Sequence, residues 1–358
     1  MRFRFSVILV AIALIIPPAQ AQLTSAETKL RLVTTITGDI SPKSVRASGT
    51  GYVSAHNMMY RHSITIYDAA KMELITTIPD RVNLTELGFK NYSGLHRGAP
   101  VEGAYSADGK YLYVTNYAMY GRGFNREGTD ICRPANNYDR SFLYRIDTAT
   151  WKIDAAYQVG VVPKVVQVSP DNKYVLVTNW CSYDLSVISI AEAKVIKTIP
   201  IGAYPRGIAI SSDSKYAYVA QMGGSVVHKI ELGSWQRTQL DVGSNPRALV
   251  LSPDNEKLYL TLNKSGRVAL FDLVTNKLVK TVRTGNAARS LDISTDGSAL
   301  YVVNFTSDTV AKVRSSDLKV LQKKRVCDEP IGITYEPKNQ RVWVACYGGS
   351  IKVFDDSQ

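Results

Sequence analysis

The chain has 358 residues and carries 43 Lys and Arg against 31 Asp and Glu, a formal charge of +12. With 45% hydrophobic and 21% charged residues it is too apolar for a disordered polyelectrolyte. A basic balance permits acidic partners but names none.

The chain opens MRFRFSVILVAIALIIPPAQAQ. Arg2 and Arg4 precede an apolar run from Val7 to Ile16, and Ala19-Gln20-Ala21 supplies small residues for cleavage. This pattern predicts a signal peptide over residues 1–21 and export, to the periplasm or outside the cell. The apolar run is shorter than the roughly 20 residues a membrane-spanning helix needs, so no membrane insertion is expected after cleavage. Residues 22–358 read as one domain, because a repeat runs through them.

Residues 29–38, KLRLVTTITG, resemble the outer strand of a repeat that has no repeat before it. Units then open at Pro42, Pro100, Pro163, Pro205, Pro246, Ala288 and Pro330, the last five spaced by 42, 41, 42 and 42 residues. Most units read as a strand like PRGIAI, an S-x-D-x-K turn such as Ser169 to Lys173, and a strand like YVLVTN. A third strand like LSVISI and a fourth like KVIKTIPIG follow. Asp and Ser suit tight hairpins, and alternating β-branched and aromatic residues suit half-buried strands. A period near 42 with four strands each predicts an all-β, seven-bladed β-propeller. The seventh unit stops at VFDD without a fourth strand, so residues 29–38 are expected to complete the last blade and close the ring.

YVTN at 113–116, with YVLVTN, YVVN and the S-x-D-x-K turns, resembles the YVTN-repeat β-propeller family, including its YncE-like exported members. The resemblance covers nearly all of residues 22–358 and implies a binding or surface protein. In the YncE-like branch it implies an association with DNA.

In such a blade the first strand is innermost and starts at the end of the channel called the top here. Two long insertions interrupt the period, DRVNLTELGFKNYSGLHRGA from Asp80 and YAMYGRGFNREGTDICRPANNYDR from Tyr117, and both belong to the top. Long loops on a rigid scaffold commonly carry function. One residue past five of the seven starts lie Lys43, Lys164, Arg206, Arg247 and Arg289, a predicted basic ring at the channel mouth. Five like charges about 10 Å apart repel by roughly 0.4 kcal/mol per pair in water, a cost that favours counter-charges or a ligand. Glu102 and Asp292 are the expected neutralisers. Just after the second strands come Tyr117, Trp180, Met222, Phe305 and Tyr347, a rim expected outside the ring. Bases interleaved with aromatics suit an anionic polymer with stacking units, such as single-stranded DNA or a glycan. Packing between blades is the competing reading. Lys194, Lys197, Lys277 and Lys280 fall in fourth strands, where they protect exposed edges.

No P-loop, HExxH or G-x-S-x-G is present, and GRGFNREG lacks the strand-to-helix context of a phosphate loop. His56, His96 and Glu102 form the sole candidate acid–base or metal cluster, so no catalytic residue, metal or cofactor is assigned. The four cysteines map to the top, where their neighbouring positions predict disulfides Cys132–Cys181 and Cys327–Cys346, with a zinc site as the alternative. The expected function is an exported, non-enzymatic, monomeric binding propeller that takes an anionic or extended ligand, whether nucleic acid, glycan or peptide. The alternatives are a propeller enzyme of lactonase or lyase type and a structural surface protein.

Overall fold

A computed structural model describes residues 23–358. The expected signal segment lies outside the described residues. Seven antiparallel sheets succeed one another along the chain. Blade three is representative, with strands Pro163–Val168, Tyr174–Asn179, Asp184–Ser189 and Lys194–Pro200 in that spatial order. Second strands such as Tyr174–Asn179 and Ala299–Asn304 are buried almost throughout, because the flanking blades cover both faces. Fourth strands are mostly exposed, and the four lysines read as edge protection lie in them.

The S-x-D turns form as expected. Ser169 Oγ donates to Asp171 Oδ1 at 2.6 Å and accepts from the Tyr174 amide at 2.9 Å. The same arrangement recurs at Ser106 and Asp108 and at Ser211 and Asp213. Adjacent blades interlock through apolar clusters. In one, Tyr218 and Val227 of blade four pack with Leu249, Leu258 and Leu260 of blade five. Each such side chain contributes roughly 1.5–3 kcal/mol by leaving water.

Ring closure follows the predicted route. Arg31–Ile36 pairs antiparallel with Ser350–Asp355, the third strand of blade seven. A buried polar latch reinforces it. The fully buried Lys312 ammonium donates to Asp356 Oδ1 at 2.5 Å, Thr28 Oγ1 at 2.8 Å and the Thr28 carbonyl at 2.9 Å. Tyr301 donates to the other Asp356 oxygen. Blade six, the C-terminal segment and the N-terminal segment thus share one ion pair.

Blade two departs from the four-strand plan. Its first and second strands extend to Leu95–Tyr105 and Tyr111–Tyr120, past the repeat at the top. The first insertion lays Val82–Asn83 against the added length as a short fifth strand, satisfying an edge that would otherwise be bare. Among the described residues, no helix is long and apolar enough to cross a membrane.

Candidate functional site: a cationic cage at the channel mouth

The first strands of all seven blades line the central channel. In two blades a glycine, Gly207 or Gly332, lets neighbouring first strands approach closely. A Cβ on Gly207 would sit 2.4 Å from the Arg247 carbonyl oxygen of the next blade. Arg206, just before Gly207, lines the mouth at the top.

Lys43, Lys164, Arg206, Arg247 and Arg289 line one cavity of about 170 Å³ with Asp130, Trp180, Met222 and Asn263. The ring read from the repeat therefore exists, but it is buried rather than open. Lys164 is 4% exposed, Arg206 and Arg247 5%, and Lys43 8%. The cover is the second insertion, whose Asp130 reaches over the channel. Lys164 Nζ donates to Asp130 Oδ1 at 2.6 Å, Tyr117 Oη donates to the same oxygen at 3.2 Å, and Trp180 Nε1 donates to the Asp130 carbonyl at 3.1 Å. The Cys132–Cys181 disulfide, with Cα atoms 5.1 Å apart, fastens this loop to blade three. The second disulfide, Cys327–Cys346, joins the approach to blade seven to the end of its second strand. Both pairings are those expected, and two disulfides suit an oxidising compartment outside the cytoplasm.

The neutralisers differ from expectation in one respect. Glu102 does lie 3.7 Å from the Arg206 guanidinium. Asp292 does not serve the ring. Its carboxylate accepts from the Tyr335 amide and Thr334 Oγ1 in the lower part of the channel. Asp130, on an insertion outside the repeat register, takes its place.

Four buried cations and the half-buried Arg289 face Asp130, Glu102 and, beside Arg289, Glu329, which leaves the cage electrostatically unsatisfied. Burial, then the neighbouring cations Arg289, Arg206, Lys164 and Arg247, hold the Lys43 ammonium well below its usual range. Burial and Arg206 bring Lys164 down to about 7 despite the bond to Asp130. Burial would raise Asp130, but Lys164, Arg206 and Lys43 outweigh it and hold the carboxyl at about 2. Burial, with Arg206 and Arg289, likewise disfavours the charged Arg247. A guanidinium does not give up its proton in proteins, so this pressure persists as a demand for an anion. Arg289 Nε is buried without a hydrogen-bond partner, and Lys43 Nζ makes no hydrogen bond among the described residues.

The rim residues stand against the cations. Lys164 Nζ lies 4.2 Å from the Tyr117 ring centre and 5.3 Å from that of Trp180. Arg289 lies 4.1 Å from the Phe305 ring centre, and Lys43 lies 5.4 Å from that of Tyr347. All four rings are half-buried. They pack as the competing reading held, partly between blades, as Trp180 does on Tyr204 at 4.6 Å and Phe305 on Tyr347 at 6.3 Å. They also shield the cations.

Two positioning devices escape a reading of repeat spacing. The threonine of YVTN-like strands donates across to the next blade. Thr115 Oγ1 reaches the Lys164 carbonyl at 2.7 Å, Thr178 Oγ1 the Arg206 carbonyl at 2.9 Å and Thr261 Oγ1 the Arg289 carbonyl at 3.2 Å. In five blades the residue before the first strand is left-handed: Val162, Tyr204, Asn245, Ala287 and Glu329 have φ between 49° and 59°. Their carbonyls accept from the amides of Trp180, Met222, Asn263, Phe305 and Tyr347. The clamp sets Trp180, Met222 and Phe305 beside Lys164, Arg206 and Arg289 of the same blades. The conformation is strained for a residue with a Cβ, and four of the five precede proline, which disfavours helical backbone. Recurrence of the threonine was the available signal for the first device. The second left no trace in residue type.

The histidine candidates are not brought together. His56 is buried with Nδ1 2.7 Å from Ser44 Oγ, and burial, then Arg46, pulls it down to about 3. His96 Nε2 lies 2.9 Å from the Arg122 carbonyl, among Tyr92 and Phe124. Glu102 turns to Arg206. Among the described residues no group of three His, Cys, Asp or Glu could hold a metal ion.

Fold and site define a seven-bladed β-propeller whose channel mouth is a buried, loop-capped cluster of cations. The chain is similar in fold to a protein from Kuenenia stuttgartiensis described as hydrazine synthase. The TM-score is 0.69 and the identity 16%, with 89% of this chain and 97% of that chain covered. Over residues 238–348, blades five to seven, the sequence matches the family model for the Cytochrome D1 heme domain. No curated protein sequence matches significantly. The matched stretch has neither His nor Met, its two cysteines are bonded to each other, and Tyr347 faces Lys43. Haem iron takes its axial ligand from such side chains. The cage is also smaller than the roughly 300–1,000 Å³ of cofactor pockets. Neither the side chains of the matched stretch nor the cage fits a haem.

Proposed function

We propose that this chain is an exported, monomeric, non-enzymatic binding propeller of YVTN type that takes an anionic ligand at its top face. The observation that carries the reading is the cage: five cations from five blades, four of them buried and Arg289 half-buried, against Asp130, Glu102 and Glu329. A purely structural propeller gains nothing from this crowding. The half-buried rim offers faces on which an extended ligand can stack, while only a terminal anionic group is small enough for the cage.

The test is a binding screen on purified protein with single-stranded DNA, acidic glycan and acidic peptide. Affinity should fall steeply with salt. Changing Arg206, Arg247 and Arg289 together to Ala should weaken binding and flatten the salt dependence. Changing Lys194, Lys197, Lys277 and Lys280 to Ala removes more charge and should matter less. The reverse order would show diffuse surface attraction and end the top-face reading.

A further inference from the structure

We infer that the cage is a binding site for a compact tetrahedral oxyanion of the phosphate class, free or as the terminal group of a larger molecule. The inference rests on the top-face reading and names the group that reaches the centre. Three observations carry it. The cations arrive from five blades around the channel axis, so they surround one point instead of facing a plane. A planar carboxylate presents oxygens in one plane and satisfies one side of such a shell, as Asp130 does for Lys164. A tetrahedral oxyanion presents acceptors in all directions, and guanidinium forks match its edges.

The second observation is the set of unused donors. Arg289 Nε is buried without a partner, and Lys43 Nζ, beside Tyr347, makes no hydrogen bond among the described residues. Arg247 spends one nitrogen on the Arg289 carbonyl at 2.6 Å, and among the described residues the Arg206 guanidinium has only the 3.7 Å contact with Glu102. The third is size and charge. The cavity of about 170 Å³ suits a five-heavy-atom anion with some water, and a doubly charged ion offsets the surplus of two positive charges, five less Asp130, Glu102 and Glu329.

Binding has a proton signature. An anion in the cage restores the full charge of Lys43 and Lys164, whose ammonium groups burial now disfavours, so protons are taken up as it binds. Calorimetric titration of the purified protein with inorganic phosphate at low ionic strength and pH 8, in two buffers of different ionisation enthalpy, reads both affinity and proton uptake. We expect saturable binding with net proton uptake. Lys43→Met and Arg289→Gln relieve crowding and should fold. Each should weaken phosphate roughly tenfold or more, and Lys43→Met should also reduce the proton uptake. A 5′-phosphorylated oligonucleotide should outbind its unphosphorylated twin. Absence of saturable phosphate binding, or binding indifferent to both variants, overturns the inference. If both oligonucleotides bind equally and phosphate does not, the top-face reading stands and the oxyanion inference falls. If no anion binds, both fall.

Discussion

The Lys164 ammonium on the first strand of blade three donates to Asp130 of the blade-two insertion at 2.6 Å, and this bond covers the channel mouth. The pair is unequal. Lys164 is buried among cations, whereas Asp130 keeps much of its side chain in contact with solvent.

That inequality sets a pH dependence. The folded state holds Lys164 at about 7, below the usual lysine value near 10.4 of an unfolded chain. Below pH 7 both states carry the proton and the cost of the buried charge is fully present. Between about 7 and 10 the unfolded chain binds more protons than the folded one, so this residue's contribution to stability rises with pH. Urea unfolding at pH 6, 8 and 9.5 should show wild type gaining on Lys164→Met across that window. A constant gap would remove the basis for a depressed Lys164.

The closure latch predicts a large effect far from the mouth. Asp356→Ala leaves the Lys312 ammonium buried without its counter-charge, and the Tyr301 hydroxyl without its acceptor. Breaking a buried pair from one side costs about 3–5 kcal/mol. Denaturant melts of the two proteins should differ by that much. A difference below about 1 kcal/mol would mean that water enters freely and the latch is not dry.

The strained clamp predicts a small gain. Ala287 is left-handed, with φ of 52°, and its carbonyl holds the Phe305 amide. Left-handed backbone costs an alanine about 1–2 kcal/mol, and glycine loses roughly 0.5–1 kcal/mol of that advantage through its freer unfolded chain. Ala287→Gly should therefore stabilise by about 0.5 kcal/mol, seen as a rise in melting temperature. A loss of more than about 1 kcal/mol would show that the alanine methyl packs productively.

The disulfide at the mouth should matter for stability as well as placement. Cys132 and Cys181 are 49 residues apart in sequence. Closing a loop of that length contributes about 2–4 kcal/mol. The paired serine variant should lose that amount, and proteolysis of the non-reduced protein should recover peptides linking 132 with 181 and 327 with 346. A peptide linking 132 with 346 would contradict the observed pairing.

What sequence alone determined is whatever the repeat encodes. Equal spacing from Pro163 to Pro330 specified the blades, and a missing fourth strand after VFDD with a spare one at residues 29–38 specified ring closure. The five basic residues at one repeat position had to form a ring, because symmetry carries equivalent positions to equivalent places. Tertiary structure decided what no repeat position contains. Asp130 sits in an insertion with no counterpart in other blades, so only folding revealed it as the counter-charge over the mouth. Asp292, equally plausible by sequence, points instead to Thr334 and Tyr335 in the lower channel. Burial decided the character of the ring. A solvated ring would lose most of its repulsion to water. Enclosed by Tyr117, Trp180, Phe305, Tyr347 and Asp130 of the second insertion, the same charges keep it, because screening depends on the surrounding medium and not on residue spacing along the chain.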